Sequence, residues 1–132
     1  MRSVLVVDDN TAVRMIMSDF LAMAYPAARV LQADNGADGL ALAQAEHPDV
    51  VLMDAEMPVL DGYAAAQKLR QTQETRSIPI IAISSGASNN ELVKGLRSIA
   101  DSSLPKPFTA DELFRTVAGV LDRRPMMLSL SY

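Results

Sequence analysis

The stretch SVLVVDD, residues 3–9, places an apolar run directly before two aspartates, Asp8 and Asp9. An unbroken Val/Leu run is typical of a strand that is buried on both faces, as in a parallel sheet. The stretch VVLMD, residues 50–54, repeats this pattern and ends in Asp54. Ligands of open parallel sheets bind outside the carboxyl ends of the strands. We therefore expect the three aspartates to converge at one edge of a sheet.

Apolar runs and helix-like segments alternate along the whole chain. Strand followed by helix, five times over, predicts an α/β fold with a right-handed, doubly wound parallel sheet. The predicted strands are Ser3 to Val7, Arg29 to Ala33, Val50 to Met53, Ile78 to Ile83 and a weak one from Ser102 to Leu104.

Helix signals stand between and after these strands. Asn10 is the expected cap of the first helix, and Thr109 with Glu112 has the spacing of a capping box ahead of the fifth. Gly95 weakens the fourth helix by about 1 kcal/mol relative to Ala, so we expect that helix to be the softest. The first helix is predicted to turn one apolar stripe inward: Val13, Ile16, Met17, Phe20 and Leu21.

The composition is that of one folded domain. The chain has 132 residues, of which 49% are hydrophobic and 21% charged. A chain of this length buries roughly two-thirds of its unfolded surface in a single core. We predict a domain over residues 1–124 and a short C-terminal tail over residues 125–132, with no effector domain.

Charge and hydropathy argue against two classes of partner. The net charge is −4 and the basic residues are scattered, so no basic stripe is available for nucleic acid. No apolar run approaches the roughly 18 residues of a membrane span, and no signal-type segment precedes the first strand. We therefore predict a cytoplasmic protein that binds no nucleic acid and does not insert into a membrane.

The three converging aspartates also predict a ligand. Carboxylates packed together repel one another unless protons or a cation share the site. Oxygen ligands suit hard divalent ions. A hard divalent cation is therefore the simplest partner of Asp8, Asp9 and Asp54.

Four motifs follow one another in order, each at the end of a separate predicted strand. They are Asp8-Asp9, the run DAEMPVLDG at residues 54–62, the run IIAIS at residues 80–84, and Lys106-Pro107-Phe108. Over residues 3–122 this set resembles the CheY-like receiver domain of two-component response regulators. The resemblance implies a flavodoxin-like (βα)5 domain with strand order 2-1-3-4-5.

The resemblance also assigns a role to each acidic residue. Asp54 matches the phosphoacceptor, which attacks a phosphoryl group delivered by a histidine kinase or a histidine phosphotransfer domain. Asp8 and Asp9 match the acidic pair that holds Mg²⁺ together with Asp54. Glu56 matches the position that contributes a main-chain carbonyl to that ion.

Three further positions are interpreted in the same way. Lys106 matches the lysine that pairs with a phosphoryl oxygen, and Ser84 matches the switch hydroxyl that moves toward it. The bond between Lys106 and Pro107 is expected to be cis, as is common in the family. Ser103 stands where the family usually has an aromatic residue whose rotation accompanies the hydroxyl movement, so that coupling element is missing.

The resemblance favours a signalling switch that is not a turnover enzyme. The kinase would dock on the first helix and on the loop after Ile83; the residues expected on the helix are Asn10, Thr11, Arg14 and Met15. A downstream target or a second copy would use the fourth helix, fifth strand and fifth helix. One alternative is a degenerate receiver that acts only as a docking adaptor. The other is a small Mg²⁺-dependent phosphatase with Asp54 as nucleophile, although such enzymes normally need an added lid.

Two ionisable residues are open to more than one interpretation. The Glu56 side chain can pair with Lys106, bind the metal or point to solvent, and we favour solvent. His47 lies at the end of the second helix, where an imidazole can interact with the last carbonyls, so we assign it a structural or solvent role.

Overall fold

The computed structural model describes residues 1–122 and contains five parallel strands that alternate with five helices. The strands are β1 (Ser3–Val7), β2 (Arg29–Ala33), β3 (Val50–Asp54), β4 (Ile80–Ser85) and β5 (Ser102–Lys106). The helices are α1 (Thr11–Ala24), α2 (Gly36–Glu46), α3 (Gly62–Gln71), α4 (Glu91–Ile99) and α5 (Ala110–Asp122). The sheet has the order β2-β1-β3-β4-β5, which confirms the predicted flavodoxin-like topology.

The sheet separates two hydrophobic cores. Successive side chains of a strand point to opposite faces, so Leu5 and Val7 of β1 pack on the α2, α3 and α4 side. Val4 and Val6 pack with α1 and α5 on the other side. Every residue of β1 and β3 is buried, as their apolar runs predict, whereas β2 lies at the edge of the sheet and is partly exposed.

Two local predictions are corrected. β4 begins at Ile80, two residues later than predicted, because the Ile78 N–H donates to the Thr75 carbonyl in a turn. In α1, Met17 and Leu21 are buried as predicted, but Ile16 is 50% exposed. Ile16 lies one residue before Met17, so the rotation of the helix turns it away from the sheet. The predicted tail, residues 125–132, falls outside the described residues.

Short polar residues begin the helices that hold the site. Asn10 Oδ1 accepts a hydrogen bond from the Val13 N–H, which confirms the predicted cap of α1. The capping box ahead of α5 is also confirmed, because Thr109 and Glu112 each accept a hydrogen bond from the other's backbone N–H. No helix within residues 1–122 is long and apolar enough to cross a membrane.

Gly95 of α4 is required by packing. A Cβ atom at this position would lie 2.5 Å from the ring of Tyr63, which belongs to α3. The absence of a side chain therefore lets α3 and α4 approach closely. This contact offsets the unfavourable helix propensity of glycine.

Candidate functional site

The order of the strands brings the predicted acidic residues together. β1 and β3 are neighbours, with Val7 paired to Met53, so Asp8 and Asp54 follow at adjacent positions. One carboxylate oxygen each of Asp8, Asp9 and Asp54 lies within 4.8 Å of the other two. Asp8 and Asp54 are buried, whereas Asp9 is exposed. The site therefore has a buried floor and one side that is open to solvent.

Lys106 supplies the positive charge of the site. It ends β5, two strands away from β3, and its long side chain extends past the end of β4. Its Nζ lies 3.0 Å from Asp8 Oδ2 and 3.5 Å from Asp54 Oδ1. The bond from Lys106 to Pro107 is cis, as the resemblance implies.

The buried carboxylate of Asp54 is hard to ionise. Burial is the main cause, the negative charge of Asp8 adds to it, and Lys106 opposes it. Together these effects raise the pKa of Asp54 to about 7 from the ordinary 3.8. When all three aspartates are ionised, the single ammonium leaves two negative charges unbalanced.

The pKa of Lys106 is also raised, which for a lysine favours the charged form. Burial acts to lower the pKa, but the hydrogen bond with Asp8 and the charges of Asp54 and Asp8 outweigh it, so the pKa lies above its ordinary value. Lys106 therefore stays protonated at neutral pH. It remains a fixed cation beside the two carboxylates.

The acidic cluster has the chemistry of a cation site. Its atoms are all carboxylate oxygens, the ligands that hard divalent ions prefer. Asp8 Oδ2 is completely buried, and among the described residues its one partner is the Lys106 ammonium, 3.0 Å away. A carboxylate oxygen can accept more than one such contact. A divalent cation would engage this oxygen and balance the two excess charges.

The floor of the site is held by contacts that the sequence did not reveal. The Asn10 N–H donates to Asp8 Oδ1 at 2.9 Å, which orients that carboxylate. Arg14 Nη1 donates to the main-chain carbonyl of Asp8 at 2.9 Å, and Arg14 Nε donates to Gln32 on β2. Arg14 was expected only as part of a docking surface. The one sequence feature that could have indicated this contact is the position of Arg14, one helical turn after the cap residue Asn10.

Ser84 lies at the end of β4, one residue beyond the pairing of Asp54 with Ile83. Its side chain is buried, and its hydroxyl oxygen accepts a hydrogen bond from Arg97 Nη2 at 3.2 Å. Arg97 belongs to α4 and was not singled out in the sequence. Ser103, at the position where the resemblance implies an aromatic residue, is exposed on β5.

The side chain of Glu56 is exposed to solvent, as predicted, but it also accepts a hydrogen bond. Ser88 Oγ, in the loop between β4 and α4, donates a hydrogen bond to Glu56 Oε1 at 3.0 Å. No ion pair between Glu56 and Lys106 forms in the described part of the chain. His47 is the C-cap of α2 with a left-handed backbone, and it lies outside the acidic cluster.

The loop between β3 and α3 is tightly folded beside Asp54. The Leu60 N–H donates to the Pro58 carbonyl, and Val59 between them has a positive φ of 70°. This is a γ-turn, and a β-branched residue in that conformation is strained. Gly62 ends the loop, where a Cβ atom would lie 1.9 Å from the Asp54 carbonyl oxygen. The backbone therefore passes directly against the phosphoacceptor candidate.

A 2-1-3-4-5 parallel sheet that carries an acidic cluster and a lysine at its carboxyl edge defines the CheY-like class of α/β domains. The family model described as "Response regulator receiver domain" matches residues 4–118. The chain belongs to this family, whose members are signalling domains.

Known proteins of this family are similar over nearly the whole chain. Protein PilH of Pseudomonas aeruginosa is 38% identical over 121 residues, which are 92% of this chain and 98% of PilH. The DNA-binding regulator RpaA of Synechocystis is 34% identical, but the chain spans only 50% of it.

Solved structures share the fold. Chemotaxis protein CheY4 of Vibrio cholerae superposes with a TM-score of 0.80 at 30% identity, covering 91% of this chain and 98% of CheY4. The receiver domain of sensor histidine kinase PA1611 of P. aeruginosa has a TM-score of 0.83 at 29% identity, covering 92% and 98%. That receiver domain has a magnesium ion coordinated in its active-site cleft.

Proposed function

We propose that this receiver domain is a phosphorylation-dependent switch of a two-component system or phosphorelay. Asp54 accepts a phosphoryl group from a histidine kinase or a histidine phosphotransfer domain, and the domain then changes its protein contacts. The observation that carries this proposal is the Asp54 carboxylate between two other acids and Lys106, whose Nζ lies 3.5 Å away. A nucleophilic carboxylate with a fixed cation at hand suits phosphoryl transfer.

The chemical problem at Asp54 is charge. An anionic phosphoryl group has to approach an anionic carboxylate, and the transfer needs neutralisation and in-line positioning more than covalent help. Lys106 is held by Asp8 within reach of Asp54, so its ammonium can pair with a phosphoryl oxygen without a large movement. Asp9, on the open side, leaves a path for the phosphodonor.

Mg²⁺ is the cofactor that we assign to the acidic cluster. Asp8, Asp9 and Asp54 would hold it with the main-chain carbonyl of Glu56, and the three converging carboxylates, which Lys106 alone does not neutralise, support this assignment. When bound, Mg²⁺ supplies charge neutralisation between the nucleophile and the phosphoryl group. The magnesium ion in the receiver domain of PA1611 supports the choice of metal.

Ser84 is the proposed switch hydroxyl, and the output surface is formed by α4, β5 and α5. Moving a two-state equilibrium from mostly off to mostly on requires roughly 3 to 5.5 kcal/mol, which a few charge-assisted hydrogen bonds can supply. The downstream partner is then a protein that binds this surface, or a second copy of the chain. The kinase or phosphotransfer protein would dock on α1 near residues 10–15.

The remaining assignments are part of the same proposal. Residues 1–124 form the receiver domain, residues 125–132 form a short tail, and the protein acts in the cytoplasm without binding nucleic acid. A docking adaptor that works without phosphorylation is the second candidate. The exposed Ser103 in place of the aromatic residue favours it, whereas the close arrangement of Asp8, Asp54 and Lys106 argues against it.

Intact-mass measurement after incubation with a small phosphodonor and Mg²⁺ tests the proposal. We expect one phosphoryl gain that disappears in Asp54→Asn and in the presence of a metal chelator. Asp61→Asn is the matched control, because Asp61 caps α3 close to the site and Asn caps a helix equally well. A domain that gains no phosphoryl group from small donors or from a phosphohistidine partner would favour the docking adaptor.

A further inference from the structure

The hydroxyl of Ser84 is tied to α4. Arg97 Nη2 donates to Ser84 Oγ at 3.2 Å, although Ser84 is only 3% exposed and Arg97 lies on the exposed side of its helix. Within residues 1–122 this is the one hydrogen bond of the Arg97 side chain, and its guanidinium makes no ion pair there. Among the described residues, Ser84 is therefore the one polar partner of the Arg97 side chain.

The position of this bond is informative because the usual coupling residue is absent. Ser103 is exposed and pairs with Ala82 in the β4–β5 register, so no aromatic ring from β5 covers the end of β4. Arg97 reaches the same hydroxyl from α4 instead. The direct partner of Ser84 is thus a residue of the proposed output surface.

A serine hydroxyl has one hydrogen to donate and can accept two hydrogen bonds. In this structure Ser84 Oγ accepts from Arg97, and within residues 1–122 its hydroxyl donates no hydrogen bond to Asp54. A hydroxyl that turns toward a phosphoryl group on Asp54 moves its oxygen away from α4. A contact of 3.2 Å is already long for a hydrogen bond, so even a small displacement weakens it.

We infer that Arg97 is a positioning residue for the switch, which holds the Ser84 hydroxyl on the α4 side in the unphosphorylated protein and is released when Ser84 engages the phosphoryl group. This inference rests on the proposed function. It names a coupling route from Asp54 through Ser84 to α4 that needs no ring rotation. Arg97 and the phosphoryl group compete for the position of the Ser84 oxygen, and not for its hydrogen, because the two contacts draw the hydroxyl in different directions.

Competition predicts the direction of an affinity change. In Arg97→Gln the Ser84 hydroxyl is freed, and binding of beryllofluoride with Mg²⁺, a mimic of the phosphoryl group, should become about threefold to tenfold tighter, the value of one net hydrogen bond. Loss of a cation near an anion would by itself weaken binding. The sign of the change therefore separates coupling from general electrostatics.

The experiment is a double-mutant cycle, measured by ¹⁹F NMR titration of beryllofluoride in the full chain. It compares wild type, Arg97→Gln, Ser84→Ala and the double variant; Lys94→Gln removes an exposed cation from the same helix as a charge control. We expect Arg97→Gln to tighten binding only when Ser84 is present. Amide signals of residues 91–99 in unliganded Arg97→Gln should also shift toward their bound positions.

Three outcomes are distinguishable. Tighter binding that depends on Ser84 supports the inference. Equal or weaker binding in Arg97→Gln, or the same change with and without the Ser84 hydroxyl, overturns the inference and leaves the proposed function intact. Wild-type protein that binds no beryllofluoride, with unchanged thermal unfolding, refutes the proposed function itself.

Discussion

Replacing Asp54 with Asn should stabilise the metal-free protein at neutral and alkaline pH. The carboxylate is buried beside Asp8, and its pKa of about 7 means that the folded state holds a proton that the unfolded chain releases near pH 3.8. Ionising Asp54 therefore weakens the fold. Asn has almost the same shape as the protonated acid and never ionises.

The magnitude follows from the shift of the Asp54 pKa. One pKa unit corresponds to about 1.4 kcal/mol, so a rise from 3.8 to about 7 gives a penalty of about 4 kcal/mol when Asp54 is ionised in both states. Below pH 4 both states are protonated and the penalty vanishes. It grows as the pH rises from 4 to 7 and then levels off. Movement of the Lys106 side chain relieves part of it, so we expect about 2 to 4 kcal/mol.

Urea denaturation of wild type and Asp54→Asn, each with a chelator at pH 4, 5.5, 7 and 8.5, measures this difference. Ionisable groups that titrate alike in both proteins contribute equally to the two free energies of unfolding, so their contribution cancels in the difference. Saturating Mg²⁺ should then stabilise the wild type more than the variant, because a ligand of the folded state adds about 2.7 kcal/mol at a hundred times its Kd. A difference in unfolding free energy that is independent of pH would refute the assigned burial and charge of Asp54.

Four other substitutions test the site and the contacts that support it. Lys106→Met should slow phosphorylation from a small donor about a hundredfold, measured by intact mass against time. The same substitution should destabilise the fold at pH 7 by about 3 kcal/mol, because Asp8 is left buried without its cation. Gly95→Ala should destabilise the domain by about 1 to 3 kcal/mol in thermal or urea unfolding, because the new Cβ atom would meet the Tyr63 ring. Gly119→Ala is the control: nothing lies within 4 Å of this position in α5, so the substitution should stabilise the domain by about 0.5 to 1 kcal/mol. Equal effects at both glycines would contradict the packing argument. Val59→Gly should raise stability by about 1 kcal/mol, because glycine accepts the positive φ of 70° without strain, and an unchanged midpoint would argue that the turn is unstrained.

Most of the fold was predictable because its signals are local. Continuous apolar runs such as Val4 to Val7 report a strand that is buried on both faces, and their alternation with helix signals allows few topologies. Asn10 and the Thr109–Glu112 pair reported helix starts through short-range hydrogen bonds. The predictions that failed, Ile16 as a buried residue and the start of β4, depended on which helix face meets the sheet and on a turn.

The candidate site was predictable to the extent that it follows from strand ends. Parallel strands end at one edge, so the positions of Asp8, Asp9 and Asp54 in the sequence already place them together. Their mutual distances, the burial of Asp8 and the pKa of Asp54 depend on the strand order and on the side chains packed around them. These quantities belong to the folded molecule.

The amino-acid sequence by itself determined the alternation of strands and helices, the edge of the sheet that carries the acids, and the lysine at the end of the last strand. Only the tertiary structure decided that Lys106 lies between Asp8 and Asp54, that Glu56 contacts Ser88, and that Arg97 contacts Ser84. The reason is physical. Apolar periodicity and capping act over a few residues of chain, whereas these contacts join distant segments whose meeting depends on strand order, helix rotation and side-chain reach.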